Sequence, residues 1–331
     1  MKLSLGIVGL PNVGKSTLFN HLTNKGINAA NYPFCTIDPN VGIVSVPDER
    51  LAKLAKQEES EEQIPAIIEF YDIAGLVKGA NKGEGLGNKF LAQIRATNAI
   101  VMVLRCFADD NIIHVEEKVD PLRDMEIINT ELIMKDLETV EKRLESLSKE
   151  VRGNNKEALK EQASLEKAKE LLLAGHLLTD LAEDPNVHNM QLLTAKKQIY
   201  LLNGEESDVS EELKKKIIEM SFDYVVVDLK EKPDLGGLIS KAYEVLGLIS
   251  FFTTGKDETR AWTIKRNSLA PQAGGAIHGD FEDKFIKAEI INTDKLLEAG
   301  SWQAAKSKGW IKLEGKEYEV QDGDVIVFRH G

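Results

Sequence analysis

Eight residues near the start of the chain have the types and spacing of a phosphate-binding loop. They run from Gly9 to Ser16 and match the pattern G-x-x-x-x-G-K-[S/T] at every fixed position. Glycines let backbone N–H groups close around phosphate oxygens. We expect Lys15 to reach the β- and γ-phosphates and the Ser16 hydroxyl to bind Mg²⁺. The other predicted nucleotide contacts in this loop are Asn12, Val13, Gly14 and Thr17.

Further residues of the right types follow in the expected order. Thr36 lies in a polar loop, where its hydroxyl could complete the coordination of magnesium. Asp72 directly follows an apolar run, so a carboxylate at a strand end could hold the ion through water. Gly75, three residues later, could let its backbone N–H approach the γ-phosphate. Asn12 could help to bind a monovalent cation such as K⁺; the alternative is that it only shapes the loop.

The position after this glycine departs from the usual chemistry. Small GTPases with a similar pattern often place a glutamine there to orient the attacking water, whereas this chain has Leu76. Leucine has no hydrogen-bonding group. Either the protein hydrolyses poorly or another group positions the water. His114 is one candidate, and the alternative for this loop histidine is a surface residue without a catalytic role.

The second departure concerns the base of the nucleotide. GTPases of this type carry N-K-x-D, whose aspartate accepts hydrogen bonds from guanine. Here an apolar run is followed by Asn203, Gly204, Glu205 and Glu206, which read N-x-x-E. Adenine lacks the two donors that the aspartate would read. The sequence therefore favours relaxed or adenine-directed specificity, and the predicted base contacts are Asn203, Gly204 and Glu206.

Apolar runs and helical spacing indicate the elements that position these residues. Strands are predicted at 3–8, 67–71, 99–104, 198–202 and 224–227, with a helix from about Lys15, which is typical of an α/β domain with a mostly parallel sheet. Residues 121–183 have helical spacing broken at 153–155, which predicts an antiparallel helical hairpin. Two further predicted strands, at 285–291 and 324–329, suggest a small α+β domain. The predicted domains are 1–120 with 184–249, the insertion 121–183, and 250–331.

Composition limits the possible classes of function. The 331 residues include 42 basic and 54 acidic ones, a net charge of −12, so any RNA contact needs a local basic patch. Two cysteines form no disulfide framework, which fits a reducing, cytoplasmic compartment. No stretch approaches the roughly 18 apolar residues of a membrane span, so no membrane partner is expected.

Taken together, these motifs resemble the YchF family, the Obg-like ATPases within the P-loop GTPase class. The segments that carry the resemblance are GLPNVGKST (9–17), YPFCTIDPN (32–40), DIAGLVKGA (72–80), GEGLGNKFL (83–91), NIIHV (111–115), the N-x-x-E at 203–206 and the segment 260–289. The resemblance implies a G domain, an inserted helical coiled coil and a C-terminal TGS domain with a β-grasp fold. It also implies Mg²⁺-dependent ATP hydrolysis, ribosome association (with the large subunit expected) and a role in translation or stress response.

The resemblance also implies site roles. The histidine corresponding to His114 is implicated in hydrolysis in the family, so the predicted catalytic residues are His114, Lys15 and Gly75. Residues 227–230 lack the small side chains usual in the last base-contacting loop, and the segment after Glu206 is shorter than usual. Two alternatives stay open: an Obg-type GTPase switch, and a nucleotide-dependent binding protein that does not hydrolyse.

Overall fold

The computed structural model describes residues 3–23, 40–73, 88–109 and 119–331. These residues divide into two compact units. The first contains 3–23, 40–42, 69–73, 88–109 and 119–235, and the second contains 43–68 and 236–331. Strands β2 and β4 carry the chain from one unit into the other.

Twelve strands are present in the described residues: Ser4–Val8 (β1), Val41–Ser45 (β2), Glu62–Ile64 (β3), Ile67–Asp72 (β4), Ala99–Arg105 (β5), Lys197–Asn203 (β6), Asp223–Val227 (β7), Leu248–Thr254 (β8), Glu258–Lys265 (β9), Phe285–Asn292 (β10), Lys312–Glu314 (β11) and Asp324–His330 (β12). The same residues form twelve α-helices: Lys15–Thr23 (α1), Glu49–Glu58 (α2), Asn88–Ala96 (α3), Pro121–Arg152 (α4), Lys156–Leu173 (α5), Pro185–Asn189 (α6), Glu211–Glu219 (α7), Gly236–Val245 (α8), Ala270–Ile277 (α9), Gly279–Asp283 (α10), Thr293–Ala299 (α11) and Trp302–Ser307 (α12).

The first sheet has the order β2-β4-β1-β5-β6-β7. The pairs β4–β1, β1–β5, β5–β6 and β6–β7 are all parallel. Every residue of β5 is buried, as expected for a central parallel strand with the near-continuous apolar run AIVMVLR. The predicted α/β fold with a mostly parallel sheet is therefore confirmed, and the predicted strands differ from the observed ones by one or two residues at their ends.

The helical hairpin predicted after residue 121 consists of α4 and α5. Asp120 caps α4 by accepting a hydrogen bond from the backbone of Arg123 at 3.1 Å. The helices separate at 153–155, where Asn154 has a left-handed backbone (φ 58°) and Asn155 caps α5. The two helices share an apolar core and an ion pair between Arg143 and Glu161 at 2.6 Å.

The second unit has a mixed sheet of order β11-β10-β12-β8-β9-β3. Its unexpected part is the segment 43–68, for which the sequence reasoning named no element before β4. Helix α2 packs against β8 and β9, and β3 pairs in parallel with β9. Arg50 of α2 forms an ion pair with Asp322 at 2.7 Å. Residues from the first fifth of the sequence thus complete the fold of the C-terminal part.

Candidate nucleotide-binding site

The predicted nucleotide residues that the structure describes lie at the carboxyl ends of the parallel strands. Asp72 at the end of β4 lies beside Ile7 of β1, and the phosphate loop follows β1 directly. Asn203 at the end of β6 lies between Arg105 of β5 and Val227 of β7. Doubly wound sheets bind ligands outside the carboxyl ends of their strands. The strand order therefore brings the phosphate loop, the acidic strand end and N-x-x-E to the edge where a nucleotide would bind.

Two left-handed residues shape the phosphate loop. Asn12 has φ 62° and Gly14 has φ 106°, which are backbone conformations that residues other than glycine rarely adopt. A Cβ atom on Gly14 would lie 2.6 Å from Nδ2 of Asn203 and 3.2 Å from Cδ1 of Leu229. Position 14 therefore requires glycine both for its backbone conformation and for the close approach of the neighbouring loops.

Lys15 is the first residue of α1, and its side chain is largely buried. Its Nζ donates a hydrogen bond to the carbonyl oxygen of Leu10 at 2.5 Å. Burial lowers the pKa of Lys15 to about 8, and the negative charge of Asp72 opposes this change only in part. A poorly hydrated ammonium at the N-terminus of a helix is a strong attractor for a phosphate anion.

The predicted magnesium ligands in the described residues supply oxygen donors. Ser16 and Thr17 are exposed in the first turn of α1. Asp72 is half-buried, and its backbone N–H donates to the carbonyl of Asn40 at 2.9 Å. A hydroxyl and a carboxylate are the hard ligands that Mg²⁺ prefers, so this donor set fits the ion. The remaining predicted residues Thr36, Gly75 and His114 lie outside the described residues, as does Leu76.

Asn203 connects the phosphate loop and the loop after β7 through hydrogen bonds. Its Nδ2 donates to the carbonyl oxygen of Val13 at 2.9 Å, and its Oδ1 accepts from the backbone N–H of Leu229 at 3.1 Å. Only 3% of Asn203 is exposed. Gly204, the next residue, donates its N–H to Val227 at 3.2 Å. Asn203, which the sequence predicts as a base contact, therefore holds the phosphate loop against the loop after β7.

Sequence reasoning missed a cluster around Phe107. Arg105, buried at the end of β5, donates to the carbonyls of Phe107 and Asp109, each at 3.1 Å. Its guanidinium lies 4.7 Å from the centre of the Phe107 ring, and Nζ of Lys230 lies 4.5 Å from the same centre. The R-C-F triplet after an apolar strand was the available signal. These contacts fix the backbone that leads into 110–118, the segment with His114.

The last predicted site residue, Glu206, lies in a short 3₁₀ turn after β6. Its carboxylate forms an ion pair with Lys214 of α7 at 2.5 Å. Elsewhere, no helix in the described part of the chain is long and apolar enough to cross a membrane.

Comparison with known proteins finds relatives that match this chain over almost its whole length. Residues 4–143 match the family model described as 50S ribosome-binding GTPase, and residues 248–331 match YchF-GTPase_C, described as a protein of unknown function. The chain is 46% identical to the ribosome-binding ATPase YchF of Bacillus subtilis, with 99% of each chain covered. It is 42% identical to Obg-like ATPase 1 of Oryza sativa subsp. japonica, over 99% of this chain and 92% of that one.

A solved structure gives the same result for the fold. The Schizosaccharomyces pombe YchF GTPase superposes with a TM-score of 0.90 at 39% identity. The match covers 99% of this chain and 98% of that one.

Proposed function

Since the chain belongs to the YchF family, we propose that it binds and hydrolyses ATP with Mg²⁺ and associates with the ribosome to regulate translation or a stress response. The observation that carries the proposal is the single sheet edge that joins the phosphate loop to N-x-x-E in place of N-K-x-D. The B. subtilis relative is named a ribosome-binding ATPase, which supports both parts of the proposal.

The residues of the phosphate loop have distinct proposed roles. Backbone N–H groups from Val13 to Thr17 surround the phosphates, and Lys15 binds the β- and γ-phosphates. Ser16 and Asp72 hold the magnesium ion, and Thr36 joins them when the γ-phosphate is present. When bound, magnesium neutralises charge that develops on the β- and γ-phosphate oxygens.

Hydrolysis requires an oriented water, and Leu76 cannot orient it. We assign that role to His114, with the Gly75 N–H approaching the γ-phosphate. The buried Arg105 supports the assignment because it fixes the backbone at 107–109, immediately before the segment that contains His114. A K⁺ ion beside the phosphates, bound with the help of Asn12, is a further element of the proposal.

Asn203, Gly204 and Glu206 form the proposed base side of the site. Without the aspartate of N-K-x-D, guanine loses the acceptor for its two donors, so ATP is the proposed substrate. The hairpin within 121–183 and residues 250–331, as a coiled-coil arm and a TGS domain, are the proposed contacts to the large ribosomal subunit and its RNA. The proposed location is the cytoplasm.

Calorimetry and sedimentation test the two parts separately. We expect wild-type protein to bind ATP more tightly than GTP in Mg²⁺ buffer, and Lys15→Ala to bind neither. A clear preference for GTP would favour the Obg-type switch, and unchanged ATP affinity in Lys15→Ala would refute the site. Co-sedimentation with ribosomes in ATP, ADP and GTP tests the partner; equal absence from the ribosomal pellet in all three would refute it. Multiple-turnover phosphate release excludes a protein that only binds.

A further inference from the structure

The acidic residue of N-x-x-E is directed toward α7. The turn that carries Glu206 is closed by Asp208, whose Oδ2 accepts from the backbone N–H of Glu205 at 2.9 Å. From this turn the carboxylate oxygen Oε1 of Glu206 contacts Nζ of Lys214 at 2.5 Å. The residue that sequence reasoning assigned to the base is thus engaged by a lysine eight positions later.

Lys214 is well placed to keep this carboxylate. Helix α7 begins after Ser210, which accepts from the N–H of Leu213 at 3.2 Å and fixes the first turn. The side chain of Lys214 is only 10% exposed, whereas that of Glu206 is 68% exposed. Glu211 supplies a second carboxylate at 2.9 Å. The hydrogen bonds to the two glutamates raise the pKa of Lys214, so the lysine stays protonated through the neutral range.

We propose that Lys214 determines base specificity by holding the Glu206 carboxylate on α7, where it cannot accept hydrogen bonds from guanine. Lys214 is then a positioning residue that acts through Glu206. The inference rests on the proposed function, in which the 203–206 turn borders the base. It adds a reason for ATP preference that the missing N-K-x-D alone does not give, because Glu206 is itself an acid close to the position of the absent aspartate.

The chemistry of the two bases gives the direction of the effect. A released carboxylate beside the base could accept from N1–H and the 2-amino group of guanine. Adenine presents an acceptor at N1, which a carboxylate would repel. Loss of Lys214 should therefore strengthen the binding of guanine nucleotides and at the same time weaken the binding of adenine nucleotides. Loss of a lysine with a purely structural role would weaken the binding of both alike.

The test compares ADP with GDP by calorimetry in Mg²⁺ buffer, since neither nucleotide can lose a γ-phosphate. In Lys214→Met, which keeps the apolar part of the side chain, we expect the GDP-to-ADP ratio of Kd values to fall about tenfold or more, the effect of a charge-assisted hydrogen bond. The double variant Lys214→Met/Glu206→Gln should return to the wild-type ratio. A ratio within twofold of wild type in folded Lys214→Met would overturn the inference.

Two further variants separate this reading from simple destabilisation. Lys215→Met removes the neighbouring lysine, which is 79% exposed and 3.8 Å from Glu219, and should leave the ratio unchanged. If Lys214→Met does not fold, Lys214→Gln takes its place, because glutamine keeps a polar side chain at this position but cannot form the ion pair with Glu206. The same limits on the GDP-to-ADP ratio then apply. Absence of ADP binding by the wild-type chain would instead refute the proposed function itself.

Discussion

Nucleotide binding should be accompanied by proton uptake at Lys15. Burial lowers the pKa of this ammonium to about 8, below the ordinary value of 10.5. A bound phosphate favours the charged form and raises the pKa again. At pH 8 about half of the nucleotide-free protein carries a neutral Lys15, and at pH 9 about nine tenths does. Binding must then restore the missing proton.

The magnitude follows from that pKa. We expect uptake of about 0.1 proton per ADP at pH 7, about 0.5 at pH 8 and about 0.9 at pH 9. The affinity follows the same titration, so the Kd for ADP should rise about fivefold between pH 8 and pH 9. At pH 8 and 9 the nucleotide contributes almost no proton because its terminal phosphate ionises near pH 6. At pH 7 about a tenth of that phosphate is still protonated and offsets the uptake by Lys15, so the test is made at pH 8 and above.

Calorimetry in two buffers of different protonation enthalpy measures the uptake directly. The matched control is Lys196, because burial also lowers the pKa of this lysine to about 8. Its ammonium donates to the carbonyls of Arg95 and Thr97, and it lies just before β6, at the opposite edge of the sheet. Lys196→Arg should keep the full proton uptake. Lys15→Arg should bind whatever ADP it still binds without proton uptake, because arginine does not titrate in this range. Uptake below about 0.2 proton at pH 8.5 would refute the reasoning.

Three further predictions concern the framework of the site and the second unit. Gly14→Ala should abolish ADP binding in calorimetry and destabilise the fold by about 1–3 kcal/mol in thermal unfolding. The reason is that the added Cβ would lie 2.6 Å from Asn203 at a residue with a left-handed backbone. The control Gly315→Ala, whose Cβ would have no atom within 4 Å, should be neutral, and equal effects of the two variants would contradict this account. Asn203→Leu should cost about 2–4 kcal/mol in urea unfolding because two backbone groups lose their partner; a loss below about 0.5 kcal/mol would show that water replaces it. Residues 248–331 alone should show no cooperative unfolding transition by circular dichroism and should gain one when 43–68 is linked to them. Cooperative unfolding of isolated 248–331 would contradict the second unit as described.

The sequence predicted the parts of the fold whose signals are local. The phosphate loop lies between a buried strand and a helix, and the break of the hairpin at 153–155 contains its own left-handed Asn154 and the cap Asn155. β5 was predicted to within one residue because a central parallel strand reads as a continuous apolar run. Each of these features depends on neighbours within a few positions of the chain.

The features that escaped prediction depend on distant partners. Helix α2 had a local signal in its cap Asp48 and the spacing of Leu51 and Leu54, but its partner strands lie about two hundred residues later. The role of Asn203 in joining two loops also required contacts with Val13 and Leu229, far away in sequence. Residue type alone pointed to the base and gave no indication of the bonds to the loops.

The inclusion of 43–68 in the second unit has a consequence for synthesis of the chain. Leu51 and Leu54 of α2 are buried, and α2 packs against β8 and β9, which start at residue 248. At typical elongation rates of about 5–20 residues per second, those strands follow the helix by roughly 10–40 s. During that interval the apolar face of α2 lacks its native cover and is open to chaperones and proteases. Strands β8 and β9, which are translated long after α2, therefore complete the packing of this helix.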